Sequence, residues 1–220
     1  MLRLSSFIGI GLLLVVMTSS SAKADQLLFD NGPMYRDGPV PGFPASAFAI
    51  DTTYDASDAF SLINSASLHS VTAGIWTDVG NVLTSVTWKI GTQPQANDIA
   101  MGTSAATIDT LVFGNYQNQW DRSEYSFLIN ADLAPGTYWL TLGQAQLSRG
   151  GRGYWDNNNG PTSSMFTNVV YPGTNSESFQ IYGQARTPEP GAVAMVMGLG
   201  ISGWSVLRRR RLAAKNTSQR

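Results

Sequence analysis

Two tryptophans each stand directly before an aspartate in a polar, turn-rich stretch of this sequence. Trp120 and Asp121 lie in NYQNQWDRSE, while Trp155 and Asp156 lie in GGRGYWDNNNGPTSS, with Asn158 two residues further on. A flat aromatic ring covers the apolar C–H face of a sugar, and carboxylate and amide oxygens accept hydrogen bonds from its hydroxyls. These five residues are therefore the candidate ligand-binding set. The alternative is that both indole rings close the edge of the hydrophobic core.

Residue types that support catalysis are scarce. The chain has one histidine, His69, and no cysteine, so a zinc site of the usual His/Cys kind is ruled out. It contains no G-x-S-x-G turn, no phosphate-binding glycine loop and no dinucleotide fingerprint. Asp121 with Glu124, or Asp55 with Asp58, could flank a glycosidic bond, but spacing does not select a pair among fifteen acidic residues. The sequence predicts that the protein is not an enzyme, with a secreted hydrolase as the alternative.

The stretch DNNNG at 156–160 offers the oxygen ligands that Ca²⁺ prefers. It departs from an EF-hand loop because its glycine comes one position early and Thr167 stands where a glutamate is needed. A polar turn, in which asparagine is favoured for its tolerance of left-handed backbone, is the preferred interpretation. No metal or cofactor is predicted, with Ca²⁺ at this turn as the alternative.

These candidate residues lie between segments in which apolar residues alternate. SVTWKIG, SEYSFLIN, SFQIYG and TYWLTL each place apolar side chains on one face of an extended strand. This pattern predicts four aromatic core residues: Trp88, Phe127, Trp139 and Phe179. Further strands are predicted over 27–30, 47–51, 59–63, 68–77, 99–107 and 163–167.

The mature region has about ten such segments, separated by Gly, Pro, Asn and Asp turns, and no helical periodicity. A parallel sheet would need crossover helices, and the sequence has no place for them. The chain is therefore predicted to be all-β, an antiparallel β-sandwich of jelly-roll type. The strand order is left open.

The N-terminus has the parts of a secretory signal peptide. A positively charged start is followed by an apolar run of eleven residues at 7–17, and Ala22 and Ala24 stand in the small-x-small arrangement that signal peptidase cleaves. The apolar run is too short to span a bilayer. Residues 1–24 are therefore predicted to form a signal helix that is removed, so that the exported chain begins at Asp25.

The C-terminus has three consecutive parts. The first is the tripeptide Pro188, Glu189 and Pro190, and the second is a run of seventeen uncharged residues at 191–207. The third is a cluster of four arginines, Arg208, Arg209, Arg210 and Arg211. Seventeen residues at about 1.5 Å each reach roughly 25 Å, near the lower limit for a membrane span. We therefore predict a single transmembrane helix, with the arginines held on the cytoplasmic side.

Charge is divided unevenly along the chain. All fifteen Asp and Glu residues lie between 25 and 190, with only six Lys and Arg residues, so this stretch has a net charge of −9 while the whole chain has −1. An acidic domain offers no basic patch for nucleic acid, which excludes it as a partner. Without cysteine the exported domain must be stabilised by core packing and backbone pairing alone.

The C-terminal arrangement of Pro-Glu-Pro, apolar helix and arginine cluster resembles the PEP-CTERM sorting signal, a tail also called the ice-binding-protein C-terminal domain. In that family an exosortase, a membrane cysteine protease or transpeptidase, cuts near the motif, and members are often associated with exopolysaccharide and biofilm. APGTYWLTL, YWDNNNGP and ESFQIYG are also similar to one group of such proteins whose globular part has no assigned activity. The resemblance implies an exosortase-type protease as a partner, while the predicted signal peptide implies signal peptidase and the Sec translocon.

The chain is therefore predicted to have four segments: a signal peptide at 1–24, a β-sandwich domain at 25–186, a sorting signal at 187–211 and a cytoplasmic tail at 212–220. The predicted protein crosses the inner membrane, stays anchored by its C-terminal helix until it is processed, and then reaches the cell surface or the extracellular space. The expected role is structural or adhesive, in an exopolysaccharide or biofilm layer. A dedicated carbohydrate-binding module is the alternative, and the two differ in whether a defined oligosaccharide binds.

Overall fold

The computed structural model describes residues 24–32, 34, 47–117, 119–166, 169–170 and 176–186. Every regular element in these ranges is a β-strand, which confirms the all-β prediction. Within them no helix is long and apolar enough to cross a membrane. The predicted signal helix, apart from Ala24, and the whole predicted sorting signal lie outside the described residues.

The strands are β1 Gln26–Asp30, β2 Ala47–Ala49, β3 Ala56–Leu62, β4 Ala66–Asp78, β5 Leu83–Gly91, β6 Ala100–Tyr116, β7 Trp120–Leu133, β8 Gly136–Leu147, β9 Tyr154–Asn158, β10 Ser164–Phe166, β11 Val169–Val170, β12 Ser176–Glu177 and β13 Phe179–Ala185.

The strands form one curled antiparallel sheet in the order β1-β13-β4-β7-β6-β5-β8-β3-β10-β11. The long strand β6 pairs with β5 over its first part and with β7 over its second part, so it belongs to both halves of the sheet. Strand β9 lies off this path and pairs with β2, β4 and β12. Strand β9 is therefore held on both of its edges by backbone hydrogen bonds.

The core lies on the inner faces of the curled sheet. Trp88, Phe127 and Phe179 are buried there, as their alternating segments predict. Trp139 differs, because it is only half-buried while Leu140 beside it is fully buried. In β8 the inward positions are those of Tyr138, Leu140 and Leu142, and successive residues of a strand point to opposite faces; Trp139 therefore points outward.

The two described ends of the chain meet at one end of the sheet, which we call the terminal end. Strand β1 pairs with β13, with Gln26 opposite Gly183. The backbone amide of Arg186 donates to the Ser65 carbonyl over 2.7 Å, and the Arg186 guanidinium pairs with the Asp132 carboxylate. The first and last described residues therefore lie at the same end of the sheet.

The opposite end of the sheet, which we call the distal end, carries the turn between β4 and β5 and the loop between β8 and β9. In the turn between β4 and β5, Gly80 has a φ of +72°, a left-handed conformation that glycine adopts without strain. Asn81 joins the two connections, because its Nδ2 donates to the Gly150 carbonyl over 2.7 Å and its Oδ1 accepts from the amide of Arg149 over 3.0 Å.

The stretch DNNNG was expected to be a turn, but its first three residues belong to β9. Asn157 and Asn158 pair with Glu177 and Ser176 of β12. The Asn158 amide nitrogen also donates to the Asn31 carbonyl over 2.7 Å. Strand pairing and buried amide partners thus outweigh the turn preference of asparagine at these positions, and the strand continues to Asn158.

Candidate functional site

An aromatic cluster lies at the distal end of the sheet. It is formed by Trp76 of β4, Trp120 at the start of β7 and Tyr154 at the start of β9. Strand β4 pairs with both other strands here, with Asp78 opposite Trp120 and Trp76 opposite Tyr154. The ring centres of Trp120 and Tyr154 are 5.1 Å apart in an edge-to-face arrangement, and those of Trp76 and Trp120 are 6.5 Å apart. Both separations fall in the favourable range for aromatic pairs.

A buried ion pair lies beneath this cluster. The side chains of Arg122 and Asp156 are each 1% exposed, and Nη2 of the guanidinium is 3.1 Å from Oδ1 of the carboxylate. The same oxygen accepts a hydrogen bond from the indole Nε1 of Trp76. The Arg122 guanidinium also lies 4.6 Å from the centre of the Trp76 ring, a cation–π contact. The ion pair therefore fixes the orientation of Trp76, against which Trp120 packs.

The rings of Trp120 and Tyr154 are partly exposed and can therefore contact a ligand. Trp120, Tyr154 and Asp121 are half-buried, whereas Trp76 is 7% exposed. One carboxylate oxygen of Asp121 accepts the backbone amide of Gly80 over 2.7 Å, which fixes that side chain beside Trp120. An aromatic surface next to a fixed carboxylate is an arrangement that can cover a sugar ring and accept its hydroxyls.

The structure separates the two predicted tryptophan–aspartate pairs. Trp120 and Asp121 lie together at the surface. Trp155 is fully buried, donates from Nε1 to the Ser178 carbonyl over 2.9 Å, and packs edge-on against Phe179. Its ring therefore offers no face to solvent.

The other predicted residues of this set have different surroundings. Asp156 lies under the aromatic cluster in the ion pair, and Asn158 is 5% exposed and joins β9 to the loop after β1. Ala24 is exposed at the terminal end. The cleavage residue Ala22, the Pro188–Pro190 motif and the arginines at 208–211 lie outside the described residues.

Tyr154, Trp76 and Arg122 were not predicted to be site residues. Trp76 lies in the segment 68–77 that was predicted to be a strand, and Tyr154 lies in the polar, turn-rich stretch before Trp155. Arg122 in the polar context WDRSE has the pattern of a solvated charge. The missing information is the register, which sets β7 and β9 on either side of β4. No local pattern indicates that register.

A second buried polar cluster joins three segments of the chain: β3, β12 and the residue after β1. The Asp58 carboxylate accepts hydrogen bonds from the Asn31 side chain over 3.0 Å, from Ser176 over 2.9 Å and from the Glu177 backbone amide over 2.5 Å. Burial raises the pKa of Asp58, while the hydrogen bonds from the Glu177 amide and the Ser176 hydroxyl act in the opposite direction. We call Asp58, Asn31, Ser176 and Glu177 the carboxylate network.

Glu177 is the member of the carboxylate network whose charge is least favoured. It is fully buried, and its Oε1 accepts a hydrogen bond from the Asn157 amide over 3.0 Å. Burial raises the pKa of Glu177 well above its usual value, and the negative charges of Asp58 and Asp156 raise it further. The surroundings therefore favour the protonated form of this carboxyl group.

Neither comparison with known proteins assigns a function to this arrangement. No family model matches the chain, and no curated protein matches it. Among the residues that the structure describes, no group of three or more His, Cys, Asp and Glu side chains is arranged to hold a metal ion.

Proposed function

We propose that this protein is exported and sorted to the cell surface or extracellular matrix by its C-terminal signal, and that it has a structural or adhesive role in an exopolysaccharide or biofilm layer. The observation that carries the proposal is the order of parts along the chain. A signal peptide precedes the acidic β-domain, and a Pro-Glu-Pro motif, an apolar segment and an arginine cluster follow it. The proposal includes no catalytic activity.

The positions of the chain ends support this proposal. Because β1 and β13 pair at the terminal end, both proposed export segments continue from one side of the domain. Two prolines in the motif favour an extended peptide, which suits access by a membrane protease just outside the bilayer. The proposed partners are signal peptidase, the Sec translocon and an exosortase-type protease. For the domain we propose a jelly-roll-type sandwich, which the curled antiparallel order supports.

The experiment that tests sorting replaces Pro188, Glu189 and Pro190 together with alanine in the native host. We expect the variant to stay in the membrane fraction while the parent protein is released from it. Thr217→Ala, in the predicted cytoplasmic tail beyond the sorting signal, is the control and should be released like the parent. Equal release of the triple variant would show that the motif is not a processing signal.

A carbohydrate-contact role is the second candidate, and the half-buried pair of Trp120 and Tyr154 beside Asp121 favours it. The expected contact is weak for one site and gains strength when many copies bind one polymer. Trp120→Ala should remove most of the binding of the full chain to polysaccharide from its host. Binding that is unchanged in this variant would remove Trp120 from the site.

A further inference from the structure

A groove of about 350 Å³ lies at the distal end between the segment after β2 and the loop between β8 and β9. Its polar lining includes the hydroxyl-bearing residues Thr52 and Thr53, the side chain of Gln146, and the ion pair of Asp51 with Arg152. Thr52, Thr53 and Gln146 are exposed. The groove is therefore open, and it combines hydrogen-bonding groups with one cationic side chain.

The Arg152 guanidinium is held in a defined position although its side chain is 54% exposed. Its Nε is 2.8 Å from Oδ2 of Asp51, and its central carbon lies 5.5 Å from the centre of the Tyr54 ring. The Asp51 carboxylate is itself fixed, because its Oδ1 accepts the backbone amides of Thr53 and Tyr54 over 2.7 and 3.0 Å.

The contact with Asp51 uses the Nε side of the guanidinium. A planar guanidinium has five N–H donors in a fork that matches a carboxylate with two parallel hydrogen bonds. An arginine whose Nε is already engaged keeps its terminal nitrogens oriented without a further loss of side-chain freedom on binding. Arg152 is therefore preorganised as an anion-binding group at the edge of the groove.

Arg152 is the basic residue that lines the groove. Residues 25–190 carry only six basic side chains against fifteen acidic ones. Three of the six, Arg122, Arg149 and Arg152, lie at the distal end, which carries acidic residues as well, among them Asp51 and Asp78. Arg122 is compensated by Asp156 and buried, whereas Arg149 and Arg152 are exposed. An anion is therefore attracted here by the positioned guanidinium of Arg152 and not by a general positive charge of the distal end.

We propose that the Arg152 groove binds a carboxylate carried by a sugar, the chemistry of a uronic acid in an acidic polysaccharide. The carboxylate pairs with the terminal nitrogens of Arg152, and the sugar hydroxyls meet Thr52, Thr53 and Gln146. This inference deepens the proposed polysaccharide contact and rests on it. The groove and the aromatic cluster are close along the chain, since Arg152 comes two residues before Tyr154, the first residue of β9.

The test measures binding of the full chain, purified in mild detergent, to an oligogalacturonate by titration calorimetry. The same oligomer with its carboxyl groups reduced to alcohols is the uncharged probe. Arg152→Gln is compared with Arg149→Gln, which removes the same charge from the same loop. Arg149 is a suitable control because its guanidinium lies against Gly80 in the β4–β5 turn and not in the groove.

We expect Arg152→Gln to weaken oligogalacturonate binding by about tenfold or more, because a charge-assisted bidentate contact is lost. Arg149→Gln should change it by no more than about twofold, since an exposed charge away from the site is screened by salt. The reduced oligomer should bind the parent chain and Arg152→Gln equally weakly.

Three results would overturn the groove assignment. These are equal effects of the two arginine variants, equal affinity for the charged and reduced oligomers, and no binding of the oligogalacturonate at all. If binding depends on Trp120 but not on Arg152, the aromatic site remains while the groove is excluded. Release from the membrane, tested by the motif variant, is independent of every one of these outcomes.

Discussion

The two buried charged clusters of this domain are built on opposite principles. In one, Arg122 and Asp156 have opposite charges and face each other over 3.1 Å. In the other, Asp58 and Glu177 are two acids that repel each other when both are ionised, and burial raises the pKa of both. Asp156 connects the two, because its charge also raises the pKa of Glu177.

The difference teaches how each cluster serves the molecule. A buried opposite pair compensates both charges in the interior, and removal of either partner leaves the other charge uncompensated. This pair also holds the Trp76 indole, against which Trp120 packs. A buried pair of carboxyl groups is stable when one of them is protonated. The stability that the carboxylate network contributes should therefore depend on pH.

Removing one member of the opposite pair should have the largest effect. Asp156→Ala leaves the Arg122 guanidinium in the interior without its carboxylate, and such a loss typically costs about 3–5 kcal/mol of unfolding free energy. It also removes the acceptor for the Trp76 indole. Denaturant unfolding monitored by tryptophan fluorescence measures the change. Asp121→Ala, which removes the adjacent half-buried acid on the surface, is the control and should cost less than about 1 kcal/mol.

Replacement of Trp155 should mainly affect stability, whereas replacement of Trp120 should mainly affect binding. Trp155→Ala removes a fully buried ring and should destabilise the fold by about 3–5 kcal/mol. Trp120→Ala removes a half-buried ring and should cost much less stability while weakening polysaccharide binding. Unfolding and binding measured on both variants check this. Comparable losses of stability would contradict the different placement of the two rings.

The carboxylate network should give a smaller effect that depends on pH. Because the folded-state pKa of Glu177 is above its unfolded value, the folded chain binds more protons between these two values. Stability is then full below the ordinary carboxyl pKa and falls as pH rises toward the raised pKa, by at most about 1.4 kcal/mol per pH unit for one proton. Glu177→Gln, which resembles the protonated form, should remove this decline. Unfolding measured from pH 4 upward tests it.

The variant Asp58→Asn tests how the charge of Asp58 contributes to this pH dependence of stability. Removing the Asp58 charge takes away one cause of the raised pKa of Glu177, so the decline of stability should end at a lower pH. The burial of Glu177 remains, and so the decline should not disappear. A pH profile that is identical in the parent, Glu177→Gln and Asp58→Asn would show that these carboxyl groups do not titrate as described.

The strands were predictable because their signal is local. Alternating apolar residues in SVTWKIG and SEYSFLIN indicate β5 and β7, and Gly-rich and Asn-rich turns separate them. The length of β6 was less predictable, since 99–107 was expected and the strand continues to Tyr116. Its later residues are stabilised by pairing with β7, a contact that a local pattern does not show.

The candidate site was only partly predictable for the same reason. Trp120 and Asp121 were identified because an aromatic residue and an acid stand in a polar stretch. Trp155 and Asp156 have the same local pattern, yet β9 is paired on both edges and both residues are buried. Burial of β9 follows from long-range pairing and from the charge of Arg122, which the local sequence does not reveal.

The measurement that tests the central claim most directly is the intact mass of the protein recovered from its own host, inside and outside the cell, with and without the sorting protease. The account predicts an extracellular form that begins at Asp25, lacks the residues after the Pro188–Pro190 region, and appears only when the protease is present. A protein that keeps residues 191–220 and remains with the membrane in both strains would contradict sorting. It would identify the tail as a permanent anchor.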